Sequence, residues 1–202
     1  MNLKEEVQKR IKNDPAHDYS HIMRVYKNAQ KIAKHEKADQ KLVLAAVLLH
    51  DVVQYPKSDK RSKTASAKSA ELAKKILAKY DFTKKEIAII SDAILDHSYS
   101  RNKVPKTLVG KILQDADRLD ALGAIGIARA FSVGGSEKRP IYNESDPFCK
   151  KRTPNDKAWT LDHFYRKLLL LEKKMNTKYA KNEAKRRTKM MGKFLFELNK
   201  EV

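Results

Sequence analysis

The apolar segment LVLAAVLLHDVVQYP, residues 42–56, constrains the fold and function of this chain more than any other stretch. Its hydrophobic run predicts a buried helix, which ends in His50-Asp51 just before the helical pattern stops. An imidazole and a carboxylate are both costly to bury unless they are paired or bound to a cation. Neighbouring positions within a helix point in different directions, whereas a helix end lets both side chains be re-aimed. A bound metal ion would give His50 and Asp51 a common partner.

The preceding helix offers a further ligand for such an ion. Asp18 or Ser20 could cap this helix, and His21 lies on its first turn. On its own, a histidine in this position is most simply a cap or a packed core residue. However, if the two helices run antiparallel and are joined at 37–40, His21 and His50 lie at the same level. That geometry is what a shared metal ion requires.

A third segment, QDADRLDALG, places three carboxylates inside an apolar helix. Asp117 has apolar residues four positions away on either side, so it lies on the buried stripe of that helix. Asp117 is therefore the best candidate for another metal ligand. Arg118 and Arg129 are nearby candidates for ion pairs or for phosphate contacts.

His97 and a polar loop are the remaining candidate site elements. His97 ends a second apolar helix, where it could support the ligands or contact a substrate, or could equally be a packed core histidine. The loop KSDKRSKTAS carries Lys57 and Arg61. It is either an ordinary solvated loop or a flexible cationic rim suited to phosphate oxygens.

The hydrophobic pattern predicts an all-α fold, since no alternation of period two extends beyond a few residues. A length of 202 residues is most simply one domain, spanning 1–202. Two glycines and three prolines predict a long ordered loop or flap at 132–157. Two further helices are predicted at about 158–175 and 179–200.

Composition points to a globular cytoplasmic protein. A single cysteine argues against a disulfide framework, no apolar run reaches the length of a membrane span, and the first residues lack a signal-peptide core. The formal charge of +19 has two interpretations. One is that it attracts anionic nucleotides or nucleic acid, and the other is that it only reflects a solvated, lysine-rich surface. The oligomeric state stays open, with a homodimer as one option.

The motifs that are absent narrow the chemistry. The sequence contains no GxGxxG, no GxxxxGK[ST], no CxxC, no HExxH and no serine between glycines, and Cys149 is its one thiol. Covalent hydrolase chemistry therefore has little support, whereas a metal-activated water fits the histidines and carboxylates. A mixed nitrogen and oxygen ligand set suits Mn²⁺, Fe²⁺, Co²⁺, Ni²⁺ or Zn²⁺ better than Mg²⁺.

The order of the four proposed ligands, His21, then His50-Asp51, then Asp117, in a helical frame resembles the HD superfamily of metal-dependent phosphohydrolases. Longer blocks carry the resemblance to small bacterial HD-domain proteins across residues 17–201: HDYSHIMRV, LLHDVVQYPK, RSKTAS, DHSYS, QDADRLDALGAIGIARAF, DPFCKKR and LDHFYRKLL. The resemblance implies an HD-domain helical bundle with its core at about 17–131 and C-terminal helices at 158–200.

The same resemblance implies a function. It implies one divalent metal ion, Mn²⁺ first, and a nucleotide (pyro)phosphohydrolase that cleaves nucleoside triphosphates. Lys57 and Arg61 would neutralise phosphate charge, with Arg118 and Arg129 as further phosphate-binding candidates. Asp51, His97 and Asp120 are the candidates for acid–base catalysis. The alternative is a basic nucleic-acid-binding or regulatory protein whose HD metal site is structural or vestigial.

Overall fold

Capping side chains set where several helices begin in the computed structural model, which describes residues 2–11, 18–55 and 59–202. Asp18 rather than Ser20 caps the helix of His21, its Oδ1 accepting from the His21 backbone N–H at 2.8 Å. Thr83 and Glu86 form a reciprocal capping box, as TKKE predicts. These caps satisfy backbone N–H groups that a helix start leaves without partners.

The described residues form helices and turns without strands, which confirms the all-α prediction. The helices are α1 Leu3–Gln8, α2 Tyr19–His35, α3 Gln40–Leu49, α4 Ala65–Leu77, α5 Lys84–Asp96, α6 Leu108–Asp120, α7 Gly123–Ser136, α8 Asp162–Arg166 and α9 Lys178–Glu201. Short 3₁₀ turns occupy Lys60–Thr64, Tyr99–Arg101, Leu168–Leu170 and Glu172–Lys174. Within these ranges, no helix combines the length and the apolar character that crossing a membrane requires.

The chain divides into two compact units, 1–117 and 118–202. In the first unit α3 is the central helix, and α1, α2, α4 and α5 all pack against it. Its apolar side chains are buried all round, as expected for a helix without a polar face. The amide of Asn28 on α2 donates to the carbonyl of Ala116 at 3.3 Å, which brings the end of α6 within this unit next to α2.

In the second unit α7 packs against α9. Phe131, Phe164 and Phe194 form an aromatic cluster with ring centroids 5.9 to 6.0 Å apart. This contact between rings from α7, α8 and α9 forms an apolar centre for the unit. The prediction of one domain over the whole chain stays a prediction.

The predicted loop at 132–157 is partly wrong, because α7 continues to Ser136. Gly134 and Gly135 are the two glycines that contributed to the loop prediction, yet Gly134 lies within α7, directly against Thr160. A Cβ on Gly134 would lie 2.1 Å from the Thr160 hydroxyl oxygen, so here the glycine provides a close packing contact instead of a turn.

The remainder of that segment is ordered by two carboxylates. Asp146 accepts hydrogen bonds from the backbone N–H groups of Lys150, Lys151 and Arg152 at 2.8 to 3.2 Å. The fully buried Asp162 pairs with the guanidinium of Arg152 at 2.5 and 2.7 Å. A buried carboxylate needs such a partner, so this ion pair fixes the path of the chain before α8.

The predicted helix at 158–175 is also wrong as a continuous element. Its apolar face is buried as expected, but the backbone turns at Lys167 with φ −138° and only short helical turns remain on either side. By contrast, the predicted helix at 179–200 matches α9 closely.

Candidate metal centre

His50 ends α3 and is fully buried. Its Nδ1 lies 2.7 Å from the carbonyl oxygen of Val47, one turn back. A carbonyl oxygen only accepts, so Nδ1 carries the proton and Nε2 presents a lone pair. Nε2 of His50 is buried and makes no hydrogen bond to any described residue. A buried acceptor of this kind is expected to have a ligand.

His97 repeats the same arrangement at the end of α5. Its Nδ1 lies 2.6 Å from the carbonyl oxygen of Ile94, and the side chain is 6% exposed. The ring centroids of His97 and His50 are 5.0 Å apart. Two helix ends therefore deliver two imidazoles in the same tautomer to one place.

His21 reaches this place from the first turn of α2. It is fully buried, and its ring centroid lies 5.5 Å from that of His50. Its Nε2 is 3.6 Å from Oδ1 of Asp117 and 3.8 Å from Oδ2 of Asp51. The predicted approach of α2 and α3 at this level is thus what the structure shows.

Asp51 lies between the three imidazoles. One carboxylate oxygen is 3.6 Å from Nε2 of His50, and the other is 3.7 Å from Nε2 of His97. These separations are too long for hydrogen bonds. Two donors that each lie about 2.1 Å from one ion stand about 3 to 4 Å apart, so the separations fit shared coordination.

A serine on α4 anchors the segment that follows Asp51. The hydroxyl of Ser69 on α4 accepts from the N–H of Val53 at 3.1 Å and lies 3.3 Å from the carbonyl of the same residue. Ser69 is fully buried, so the segment that leaves α3 is anchored to α4. This contact could not be predicted from the sequence, since a serine within an alanine-rich helix carries no signal of its own.

The donor atoms form two overlapping groups that share His50. His21, His50 and Asp117 make one group, and His50, Asp51 and His97 make the other; within each, the donor atoms lie within 4.8 Å of one another. The imidazoles are buried, whereas the side chains of Asp51 and Asp117 are 20% and 30% exposed. The cluster is therefore open to solvent on its carboxylate side.

The electrostatics of His97 and Asp117 favour the forms of these two side chains that bind metal. Burial lowers the pKa of His97, the neighbouring His50 lowers it further, and the carboxylates of Asp51 and Asp117 only partly oppose this. Burial raises the pKa of Asp117, but the three imidazoles outweigh it and the net shift is downward. Neutral imidazoles and ionised carboxylates are the ligand forms that a divalent cation requires, and the donor set fits such an ion.

The predicted cationic rim is described only in part, because Lys57 lies outside the described residues. The guanidinium of Arg61 binds the carboxylate of Asp59 at 2.7 to 3.1 Å and stacks over the ring of Tyr55. Arg61 is exposed and its charge is matched by Asp59. Its role in phosphate binding stays a prediction.

The other predicted side chains, Arg118, Arg129 and Asp120, belong to the second unit. Arg118 donates to the carbonyl of Lys174. Arg129 binds the buried carboxylate of Asp120 at 2.9 Å. These contacts stabilise the second unit, and the proposed roles of the three residues in phosphate binding and catalysis stay predictions.

The segment after α5 carries two cations that are absent from the predicted site. Arg101 and Lys103 each place a side-chain nitrogen 3.8 Å from Oδ1 of Asp96, next to His97 in the chain. Their proximity to His97 in the sequence was the available signal. They add positive charge to the segment that supplies one of the metal donors.

Two sequence comparisons show which known proteins this chain resembles. The family model of the HD domain matches residues 18–122. The uncharacterized protein YpgQ of Bacillus subtilis is 33% identical over 186 residues, which cover 92% of this chain and 84% of YpgQ.

Solved structures resemble the whole chain. The crystal structure of Bacillus subtilis YpgQ in complex with ADP has a TM-score of 0.76 at 29% identity, covering 99% of this chain and 93% of that one. An HD-superfamily hydrolase from Bacillus thuringiensis has a TM-score of 0.72 at 32% identity, covering 99% and 98%. The HD-domain model matches more than half of the chain, and YpgQ is similar to the chain over nearly its whole length. The chain therefore belongs to the HD-domain family.

Proposed function

We propose that this protein is a metal-dependent nucleotide phosphohydrolase that converts nucleoside triphosphates to monophosphates and pyrophosphate. The observation that carries the proposal is the convergence of His21, His50, Asp51, His97 and Asp117 on one open-sided cluster. Membership of the HD family supports a metal-dependent phosphohydrolase. The complex of YpgQ with ADP supports a nucleotide as the ligand.

His21, His50, Asp51 and Asp117 would hold the cation, with Mn²⁺ as the first choice, and His97 is close enough to join them. When bound, a divalent cation activates water and polarises a phosphoryl oxygen, which typically contributes several kcal/mol of barrier reduction. The Nδ1–H groups of His50 and His97 are fixed by backbone carbonyls. These hydrogen bonds hold each Nε2 in one direction, as ligand-supporting contacts do in metal enzymes.

The chain's own groups define the path of substrate and proton. The carboxylates face the open side, so a phosphate enters there while the buried imidazoles keep water out from behind. A water oxygen bonds to the α-phosphorus and the bond from that phosphorus to its bridging oxygen breaks, releasing pyrophosphate. The water proton passes to a base, for which the carboxylate of Asp51 is suited because it lies on the open side and keeps one oxygen available when the other holds the ion.

A product assay tests the proposal. The protein is stripped of metal with a chelator, reloaded with Mn²⁺, Co²⁺, Ni²⁺, Zn²⁺ or Mg²⁺, and given a panel of ribo- and deoxyribonucleoside triphosphates. We expect monophosphate and pyrophosphate in equal amounts and no turnover without metal. Diphosphate and phosphate as products would overturn the pyrophosphohydrolase assignment, and the absence of turnover with every metal would overturn the enzyme.

A second candidate function rests on the exposed face of α9. Lys178, Lys181, Lys185, Lys189 and Lys193 are all exposed and follow one another at helical spacing. Over this stretch, the stripe contains no acidic residue, since Glu183 lies on another face of the helix. Such a stripe suits the phosphate backbone of a nucleic acid. Nucleic-acid binding by this stripe would be unaffected by His50→Ala, whereas nucleotide turnover would be lost.

A further inference from the structure

Gln114 is a fully buried amide on α6, one turn before Asp117. Its Nε2 lies 2.9 Å from the carbonyl oxygen of Lys103, 3.1 Å from that of Asp96 and 3.5 Å from that of His97. One side chain therefore contacts the last residues of α5 and the end of the segment that follows.

The orientation of this amide is determined by its surroundings. All three neighbouring groups are carbonyl oxygens, which only accept, so the NH₂ end of Gln114 must face them. The last carbonyls of a helix have no partner within the helix, and an amide with two N–H groups supplies what they lack. Gln114 thus contacts both ends of the segment 97–103, through the carbonyls of Asp96 and His97 at one end and that of Lys103 at the other.

A glycine one turn earlier brings the two helices together. A Cβ on Gly110 would lie 2.7 Å from Cβ of Pro105 and 3.5 Å from the backbone of Ala93 on α5. Gly110, Gln114 and Asp117 follow one another at helical spacing, so they share one face of α6. That face approaches α5 at Ala93, contacts its end through Gln114, and presents Asp117 to the metal centre.

From these contacts we infer that Gln114 is a positioning residue. It holds the imidazole of His97 at the distance from Asp117 that a shared metal ion requires. The inference rests on the proposed function, because it concerns the same metal centre. Nδ1 of His97 is anchored to its own helix at Ile94, so the direction of Nε2 follows the end of α5. Gln114 fixes that end to the helix that carries Asp117. Loss of its N–H groups would let His97 move away from the other donors.

The test is metal affinity in the folded protein. Gln114→Met keeps the length of the side chain but removes both donors, and the visible absorption of bound Co²⁺ together with Mn²⁺ titration calorimetry reports the site without turnover. We expect binding about 10- to 100-fold weaker than in the unmodified protein, the usual effect of losing a contact that orients a ligand.

Ser91→Ala is the matched control. Ser91 is 2% exposed on α5, and its hydroxyl donates to the carbonyl of Ala70 at 3.2 Å, so it too is a buried bond from a side chain to a backbone carbonyl. Ser91 is not part of the face of α6 formed by Gly110, Gln114 and Asp117. We expect a lower melting temperature in both variants and an unchanged metal affinity only in Ser91→Ala.

A double-mutant cycle separates positioning from general stability. If Gln114 acts through His97, adding Gln114→Met to His97→Ala should weaken metal binding less than about threefold, because the two changes are coupled. Should Gln114→Met not fold, Gln114→Asn keeps the NH₂ group but is one methylene shorter and serves in the same cycle.

The outcomes are distinguishable from failure of the proposed function. Absence of Mn²⁺ and Co²⁺ binding by the unmodified protein would overturn the metal centre itself. Equal affinity in the unmodified protein and Gln114→Met, or full additivity with His97→Ala, would overturn only the role of Gln114.

Discussion

At the scale of single residues, the metal centre depends on histidines whose Nδ1–H already donates a hydrogen bond to the backbone. His50 and His97 each close a helix and return Nδ1–H to a carbonyl one turn back. The backbone thereby selects the tautomer, and the side chain has little freedom to turn. Two buried rings that cannot rotate away are a better preformed site than two solvated ones, since the ordering cost is met during folding.

His50→Ala should abolish metal binding and reduce turnover by at least about 100-fold, because it removes the donor that both groups of ligands share. Most of the helical signal in circular dichroism should remain. His35→Ala is the control, since His35 is an exposed histidine at the other end of α2. Retention of metal by His50→Ala, or an equal loss in His35→Ala, would contradict the assignment.

A carboxylate in the second unit determines part of the acid sensitivity. Hydrogen bonds from Arg186, together with those from Arg187 and against the opposing effect of burial, lower the pKa of Glu183 from 4.5 to about 2. Because the folded protein has the lower pKa, this stabilisation is fully present above pH 4.5 and is lost as the pH falls towards 2. Allowing for solvent screening, it amounts to about 1–2 kcal/mol.

Glu183→Gln should therefore flatten the fall in unfolding free energy between about pH 4.5 and pH 2. Urea denaturation of both proteins at several pH values in this window measures the difference. Glu197→Gln, which removes an exposed carboxylate from the same helix, is the control for the change in net charge. Parallel stability curves for Glu183→Gln and the unmodified protein would show that this ion pair is not linked to acid unfolding.

At the scale of secondary-structure elements, the sequence predicts best what depends on local chemistry. The burial of α3, the capping box of α5 and the position of α9 follow from periodicity and from capping residues. His21, His50, Asp51 and Asp117 were predicted as one set, and their donor atoms do converge.

Long-range contacts explain what the sequence could not predict. The apolar spacing from Leu161 to Met175 is helical, and nothing local marks the turn at Lys167. The buried pair of Arg152 and Asp162 joins residues ten apart across an irregular segment, and the pattern of neither residue indicates the other. Gln114 was likewise invisible, because a glutamine within a helix is ordinarily exposed.

Gly134 and Gly135 make an element-scale test with a built-in control. Gly134→Ala should destabilise the protein by about 1–3 kcal/mol, since its Cβ would overlap the side chain of the buried Thr160. Gly135→Ala meets no atom within 4 Å and should be neutral or stabilising by up to about 1 kcal/mol. Thermal and urea unfolding of the two variants measures the contrast. Equal effects would mean that helix propensity, not the contact with Thr160, governs this part of α7.

At the scale of the whole molecule, the charge of +19 is the feature that the metal centre does not explain. Part of it is matched locally, as in the pairs of Arg61 with Asp59 and Arg129 with Asp120. The lysine stripe on the outward face of α9 is not interrupted by acidic residues. A positive surface of this kind attracts polyanions in general, so it predicts weak and non-specific binding whose strength depends on salt.

Titration of a single-stranded RNA at several salt concentrations measures how many phosphate contacts the stripe makes. Lys185→Gln with Lys189→Gln should reduce the slope of log affinity against log salt by about 1.4, which is about 0.7 for each lost contact with a single strand. Lys74→Gln with Lys75→Gln removes the same charge from the exposed face of α4 and should leave the slope nearly unchanged. Equal slopes in both double variants would mean that binding follows net charge rather than the stripe. Because neither pair touches the metal donors, the same proteins should retain metal-dependent turnover, and a joint loss of RNA binding and turnover in the α9 variant would show that the two functions share a surface.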